Sequence, residues 1–212
     1  MSEQAIRVAF VGNPNCGKTT LFNALTGANL KVANWPGVTV EKKEGTVTYK
    51  GKKLNLVDLP GIYSLTSYSI EEKVSRKCVM EDDIDVIVNV VDASSLERNL
   101  YLTMQLLELG KPVILALNMM DVVKERGMEI DNHRLPEMLG HIPVVPVSAR
   151  KRTGLNVLLH AVEHHFEEDT KSQVLKYSPD LEEKIEKLQI LLKEKYPDLN
   201  YLRWTAVKLL ED

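Results

Sequence analysis

The segment between residues 12 and 19 constrains the fold more than any other part of this 212-residue chain. Residues 6–11, an apolar run of β-forming residues, precede it, and Leu21, Phe22 and Leu25 follow it at helical spacing. A glycine-rich turn between a strand and a helix directs backbone N–H groups at a phosphate. The segment fits G-x-x-x-x-G-K-[ST] and consists of Gly12, Asn13, Pro14, Asn15, Cys16, Gly17, Lys18 and Thr19. It predicts a strand, a phosphate-binding loop and a helix in succession.

Strands and helices alternate along the next part of the chain. Two short strands around Lys50-Gly51-Lys52 form a predicted β-hairpin, whereas residues 28–45 are typical of a long, mobile loop. Helices are predicted over 96–109 and 154–166. The fold class is therefore α/β: a mostly parallel six-stranded sheet with helices on both faces and a ligand site at the carboxyl ends of the strands. The six predicted strands are 6–11, 46–49, 54–57, 85–91, 112–117 and 144–147.

The last part of the chain has a purely helical pattern. A composition shift near residues 167–178 divides a body, 1–167, from a small α-helical appendage, 168–212. Residues 171–212 hold eight Lys or Arg and eight Asp or Glu, so the appendage has no basic face. The chain as a whole has a net charge of −3 and a pI near 6.0, which argues against nucleic acid as a partner. It has no apolar run of the ~20 residues that span a bilayer, so we expect this fragment to be soluble.

Residues of three separate segments are expected at the phosphates. Lys18 is predicted to contact the β- and γ-phosphates, and the Thr19 hydroxyl to coordinate Mg²⁺. Asp58-Leu59-Pro60-Gly61 follows a predicted strand, so Asp58 is placed to hold Mg²⁺ through water and the Gly61 amide to sense the γ-phosphate. Thr39, in the predicted loop, is expected to close onto Mg²⁺ when the γ-phosphate is present.

Two further motifs predict the identity of the base. Asn118-Met119-Met120-Asp121 ends a predicted strand. The Asp121 carboxylate can accept both hydrogen bonds from guanine N1 and N2, a donor pair that adenine lacks, while Asn118 ties the loop to the phosphate loop. Met119, in place of the usual lysine, can cover one face of the base. Ser148-Ala149-Arg150 follows another strand and completes the pocket through the Ala149 amide. We therefore predict GTP and GDP as ligands.

The amino-acid sequence of these motifs resembles that of the cytosolic N-terminal region of the prokaryotic ferrous iron transport protein B family. Asn-Trp-Pro-Gly-Val-Thr, residues 34–39, is the most specific piece, and Arg203-Trp204 with Lys208-Leu209-Leu210-Glu211 is similar to the helical segment of that family. The other matching segments are residues 12–23, Asp58-Leu59-Pro60-Gly61-Ile62-Tyr63-Ser64-Leu65 and Asn118-Met119-Met120-Asp121.

The resemblance implies a Ras-like GTPase (G) domain over 1–167 and a helical domain over 168–212 that slows GDP release and is truncated here. It implies a GTP-hydrolysing regulatory domain at the cytoplasmic face of the inner membrane. Its partner is the transporter's own membrane domain, and it implies a possible homo-oligomer. Further nucleotide contacts are expected at Thr20, Gly37, Val38, Val40, Glu41, Leu59, Pro60 and Arg150.

The catalytic apparatus differs from that of Ras-type switches. Ile62 stands where such switches place a glutamine that orients the attacking water, and residues 28–45 contain no arginine finger. The resemblance implies that Asn15 coordinates a K⁺ ion, which supplies the charge instead. The expected catalytic residues are thus Asn15, Lys18, Thr39 and Gly61, with slow intrinsic turnover.

Two other functions are compatible with the same motifs. One is a free-standing GTPase that acts on ribosomes or tRNA, although the balanced charge of the appendage argues against it. The other is a nucleotide sensor with negligible hydrolysis, for which Ile62 is the best argument.

Overall fold

A computed structural model describes residues 5–27, 29–66, 68–81, 83–167 and 175–211. The described strands are β1 (Ile6–Gly12), β2 (Leu30–Asn34), β3 (Glu41–Tyr49), β4 (Lys52–Asp58), β5 (Val86–Asp92), β6 (Val113–Asn118) and β7 (Val144–Pro146). The described α-helices are α1 (Lys18–Thr26), α2 (Ile70–Glu81), α3 (Leu96–Leu107), α4 (Met120–Glu125), α5 (Arg134–Met138), α6 (Leu155–Glu167), α7 (Pro179–Lys195) and α8 (Leu202–Glu211).

The strands form one sheet in the order β2-β3-β4-β1-β5-β6-β7. The four pairs from β4 to β7 are parallel, and the two pairs that involve β3 are antiparallel. The predicted α/β class with a mostly parallel sheet is confirmed, but the sheet has seven strands rather than six. Because parallel strands bring their carboxyl ends to one edge, the segments after β1, β4, β5, β6 and β7 converge.

The seventh strand lies within the segment that was predicted to be a long loop. β2 pairs antiparallel with β3, from Leu30 opposite Gly45 to Asn34 opposite Glu41. A tight turn joins them, with the Trp35 N–H donating to the Val40 carbonyl at 2.8 Å. The sequence does not predict β2, because β2 is an edge strand whose residues are largely exposed. Apolar and polar positions therefore do not alternate along it.

The hairpin between β3 and β4 was predicted and is confirmed. Its two-residue turn has positive φ at both positions, 47° at Lys50 and 85° at Gly51. This backbone matches the right-handed twist of the two strands, and glycine adopts it without steric cost.

Helices cover both faces of the sheet. On one face, buried residues of α2 and α3, including Val79, Leu102 and Leu106, pack with alternate residues of the central strands. On the other face, Leu21 and Phe22 of α1 and Leu158 of α6 form a second cluster. The two cores hold the strands, and therefore the loops at their carboxyl ends, in fixed positions.

The helix α8 packs against the first of these faces, and α7 packs against α8. Trp204 of α8 joins the core cluster of α2 and α3, and the Tyr201 hydroxyl donates to the Met80 carbonyl at the end of α2. The predicted boundary after residue 167 adjoins residues 168–174, outside the described part of the chain, and stays a prediction. Among the described residues, no helix combines the length and apolar character that crossing a membrane requires.

Candidate nucleotide-binding site

The phosphate loop joins β1 to α1 and depends on its glycines. Gly17, the N-cap of α1, has a φ of 80°. A Cβ at Gly17 would lie 2.4 Å from the Asn118 Nδ2 atom, and one at Gly12 would lie 2.4 Å from the Val90 carbonyl oxygen. Larger residues at either position would displace the loop from β5 or from Asn118 at the end of β6. The predicted order of strand, loop and helix is therefore confirmed, with both glycines needed for close approach.

Lys18, Thr19 and Asp58 meet at the start of α1. The Lys18 ammonium forms an ion pair with Asp58 Oδ1, and the Thr19 hydroxyl donates to Asp58 Oδ2 at 3.0 Å. Lys18 and Asp58 are both buried. A hydroxyl and a carboxylate side by side are the hard oxygen ligands that Mg²⁺ prefers, so these residues fit the predicted metal.

The Asp58–Gly61 segment lies directly on the phosphate loop. The Ile62 N–H donates to the Gly12 carbonyl at 3.1 Å, and a Cβ at Gly61 would lie 3.1 Å from the Pro14 Cα. A cleft of about 220 Å³ opens between the two segments. Its walls are Lys18, Thr19, Val40, Glu41, Lys43, Asp58, Leu59, Pro60 and Gly61. Lys43 was not predicted, because a lysine on an antiparallel strand carries no motif.

Thr39 is an exposed residue in the turn between β2 and β3. Its neighbours Val40 and Glu41 line the cleft, whereas Thr39 is not among the lining residues. Gly37 has a φ of 78° in the same turn, a backbone conformation that glycine adopts readily. The Mg²⁺ role of Thr39 requires this turn to move and stays a prediction.

Asn118 connects three loops at the base side of the site. Its Nδ2 donates to the Cys16 carbonyl at 2.9 Å, and its Oδ1 accepts the Ala149 N–H at 3.0 Å. The predicted tie between Asn118 and the phosphate loop is present. The Ala149 amide bonds to Asn118, and its predicted contact with the base stays a prediction.

Ser148 fixes the acidic side chain of this pocket. The Ser148 hydroxyl donates to Asp121 Oδ1 at 2.8 Å. This hydrogen bond lowers the pKa of Asp121 below its usual value, so the buried carboxylate carries its charge at neutral pH. Met119, with a φ of 63°, turns the chain between β6 and α4, and Arg150 is exposed beside the pocket. An ionised acceptor at Asp121 suits the paired donors of guanine.

Two neighbouring residues of the phosphate loop have opposite environments. Asn15 is exposed and has a φ of 66°, so its amide group is open to solvent. Cys16 is 2% exposed, and burial raises the pKa of its thiol to about 11. Cys16 is therefore a packed, protonated thiol, whereas Asn15 is available to a ligand.

This fold and site define a guanine-nucleotide-binding domain of the P-loop GTPase class. A sequence model of the family described as ferrous iron transport protein B matches residues 6–162. The chain belongs to this family.

Similar proteins agree with this assignment. The chain is 43% identical over 210 residues to the Fe(2+) transporter FeoB of Salmonella typhimurium, covering 97% of this chain and 27% of that protein. It is 51% identical over 158 residues to the Fe(2+) transporter FeoB of Legionella pneumophila strain Paris, covering 73% of this chain and 21% of that protein. The chain thus spans about a quarter of the length of the curated relatives that it matches.

Solved structures extend the similarity to the fold. The cytosolic domain of the T. maritima FeoB iron transporter in a GDP form matches with a TM-score of 0.90 and 42% identity, over 98% of this chain and 81% of that one. The GMPPNP form of the same domain matches with a TM-score of 0.88 and 43% identity, over 96% and 80%. The cytosolic domain of L. pneumophila FeoB has a TM-score of 0.86 and 43% identity, over 94% and 79%.

Proposed function

We propose that this chain is a K⁺-activated GTPase domain that regulates a membrane ferrous-iron transporter. One observation carries the proposal: Asn118 joins the phosphate loop to the segment after β7, so the segments predicted to bind the phosphates and the guanine base are adjacent. The names of the relatives support the transport role. In this proposal the domain lies at the cytoplasmic face of the membrane, contacts the transporter's membrane domain and forms a homo-oligomer.

Each group in the pocket has a chemical role in this proposal. Lys18 releases Asp58 and binds the β- and γ-phosphates, while Asp121 selects guanine. Thr19, and Asp58 through a water, would hold Mg²⁺, and Thr39 would join them if the turn moved; a bound ion would neutralise phosphate charge. The Gly61 amide donates to the γ-phosphate. The other predicted nucleotide contacts surround these groups: Gly12, Asn13, Pro14, Cys16, Gly17, Thr20, Gly37, Val38, Val40, Glu41, Leu59, Pro60, Asn118, Met119, Ser148, Ala149 and Arg150.

The residue after Gly61 does not orient water. Ile62 is 2% exposed, its side chain is packed in the core, and its N–H is engaged by Gly12. Stabilisation of charge in the transition state must come from another source. Asn15 supports K⁺ as that source, because its exposed amide oxygen lies on the phosphate loop. A cation there would stabilise the charge that an arginine finger stabilises elsewhere.

Phosphate release from GTP tests this proposal. We expect hydrolysis to be on the order of 10- to 100-fold faster in K⁺ than in Na⁺ at equal ionic strength, because one preorganised charge is gained. Asn15→Ala should abolish the difference while GDP affinity is retained. Asn200→Ala, an exposed asparagine between α7 and α8, serves as the matched control. Equal rates in the two salts would refute the K⁺ role, and no release in either salt would favour a nucleotide sensor.

A further inference from the structure

Three buried polar side chains lie on α3. Two of them form hydrogen bonds with the segment just before α3 or with the sheet. Asn99 donates to the Ser95 carbonyl at 2.9 Å and accepts the Asp92 N–H at 3.3 Å. The Thr103 hydroxyl donates to Asn89 Oδ1 of β5 at 2.6 Å. These bonds fix α3 on the sheet. The third residue, Gln105, has a different partner.

Gln105 bonds to the segment that follows Gly61. Its Oε1 accepts the Leu65 N–H at 2.7 Å. Leu65 is fully buried and Gln105 is 5% exposed, so the bond is shielded from water. A shielded hydrogen bond is stronger than one that competes with solvent. This bond therefore fixes the backbone at Leu65 relative to α3.

The other half of the Gln105 amide has no partner among the described residues. Its Nε2 is buried and makes no hydrogen bond there. Buried polar groups are nearly always paired, and an apolar side chain of the same length would fill this place without an unpaired donor. Packing alone does not account for a glutamine here, whereas its bond to Leu65 does.

The segment between Gly61 and Leu65 is held at two points. The Ile62 N–H donates to the Gly12 carbonyl at 3.1 Å, and the Leu65 N–H donates to Gln105. Gly61 directly precedes the first of these points and lies against Pro14. Two anchors within four residues limit the directions in which the Gly61 amide can point.

We propose that Gln105 is a positioning residue for GTP hydrolysis. It holds residues 62–65 against α3, and so keeps the Gly61 amide directed at the γ-phosphate position. The inference rests on the proposed function, because the γ-phosphate is the group that Gly61 senses. GDP lacks that phosphate, so its binding does not depend on this anchor.

Gln105→Met tests the proposal, since methionine keeps the length of the side chain and removes the acceptor. Relative to the unaltered chain, we expect roughly tenfold slower single-turnover hydrolysis and tenfold weaker GMPPNP binding, with GDP affinity within about twofold. The Leu65 amide should exchange its hydrogen at least about tenfold faster. Gln105→Glu, which keeps an acceptor oxygen, should restore slow Leu65 exchange.

Thr103→Val is the matched control, because it removes a buried hydrogen bond from the same helix without touching residues 62–65. We expect it to leave Leu65 exchange unchanged. Unaltered Leu65 exchange, or unaltered hydrolysis, in Gln105→Met would overturn the proposal, as would equal losses of GDP and GMPPNP affinity. If the unaltered chain released no phosphate, the proposed GTPase function would fail, while GMPPNP affinity and Leu65 exchange would still test Gln105.

Discussion

At the scale of single residues, the base pocket shows how neighbours prepare a side chain for its ligand. Asp121 is buried, and burial alone would favour its neutral form. The Ser148 hydroxyl outweighs that effect and keeps the pKa of Asp121 low. Serine before Ala149 therefore contributes to base recognition by fixing the charge and direction of the carboxylate.

Asp121→Asn should change the preferred base. Asparagine keeps the shape but replaces one acceptor oxygen with a donor, so we expect GDP affinity to fall on the order of 100-fold. Xanthosine diphosphate should bind more tightly than GDP to this variant, because its 2-oxo group accepts from the new amide. Titration calorimetry with both nucleotides measures this. Asp180→Asn, at an exposed aspartate of α7, is the control, and retained guanine preference in Asp121→Asn would contradict the assignment.

Sequence reasoning found the residues of this pocket that terminate strands or closely follow their carboxyl ends. Lys18, Asp58, Asn118 and Asp121 were predictable because carboxyl ends of parallel strands meet at one edge. Gln105 was not, since a glutamine within an amphipathic helix has no pattern that separates an inward polar group from a solvated one. The bond of Ala149 to Asn118 was also beyond sequence, because it depends on distances between loops.

At the scale of elements, Arg203 of α8 joins that helix to α7 and to the end of α3. Arg203 Nε donates to Glu108 Oε2, just after α3, at 2.9 Å, and Arg203 Nη1 donates to Glu182 Oε2 of α7 at 2.8 Å. The Arg76 guanidinium of α2 lies 5.5 Å from the ring centroid of Trp204. The appendage thus contacts α2 and α3, the two helices that flank residues 62–65.

Arg203→Met should loosen this attachment. It leaves Glu108, whose side chain is 4% exposed, without its cation, and we expect the free energy of unfolding to fall by about 3 kcal/mol. GDP release should accelerate, because the appendage then holds α2 and α3 less firmly. Thermal unfolding and displacement of a fluorescent GDP analogue measure the two effects.

The matched control for Arg203 lies on the same appendage. Lys187 pairs with Glu183 on the surface of α7, where both side chains are more than half exposed. Lys187→Met should change the free energy of unfolding by less than about 0.5 kcal/mol. Arg203→Met with unchanged GDP release would show that the appendage does not restrain the nucleotide through this contact.

Elements differed in how well the sequence predicted them. The β3–β4 hairpin was predictable from Lys50-Gly51, because a two-residue turn has a strong local signature. β2 was not, since its stability comes from pairing with β3 and not from its own residues. The helix α2 begins after a polar stretch with few apolar positions, and its place is decided by burial of Cys78 and Val79.

At the scale of the whole molecule, the free energy of unfolding depends on pH through two carboxylates that contact Arg203. Their contributions change in opposite directions as the pH rises. Hydrogen bonds from Arg203 lower the pKa of Glu182 to about 2. Its contribution is therefore present above pH 4.5 and lost as the pH falls towards 2. Burial raises the pKa of Glu108 despite the same arginine, so its contribution is complete below pH 4.5 and lost as the pH rises through the folded-state pKa.

Two variants separate these effects in urea unfolding between about pH 3 and 8. Glu182→Gln should reduce the loss of stability in acid by about 1 kcal/mol, a value that allows for solvent screening of this partly exposed group. Glu108→Gln should instead make the free energy of unfolding less dependent on pH above 4.5. The same slope change in both variants would contradict the opposite pKa shifts.

The central position of β1 governs when the chain can fold during its synthesis. Val8 pairs with Leu56 on one side and with Val86 on the other, so β1 leaves the ribosome before both of the strands that it pairs with. At 5–20 residues per second, roughly 4 to 16 s separate β1 from its β5 partner. The base loop is complete only after Ala149. Until then, the nascent chain carries an apolar strand first without its partners in the sheet and then still without a nucleotide pocket to stabilise it.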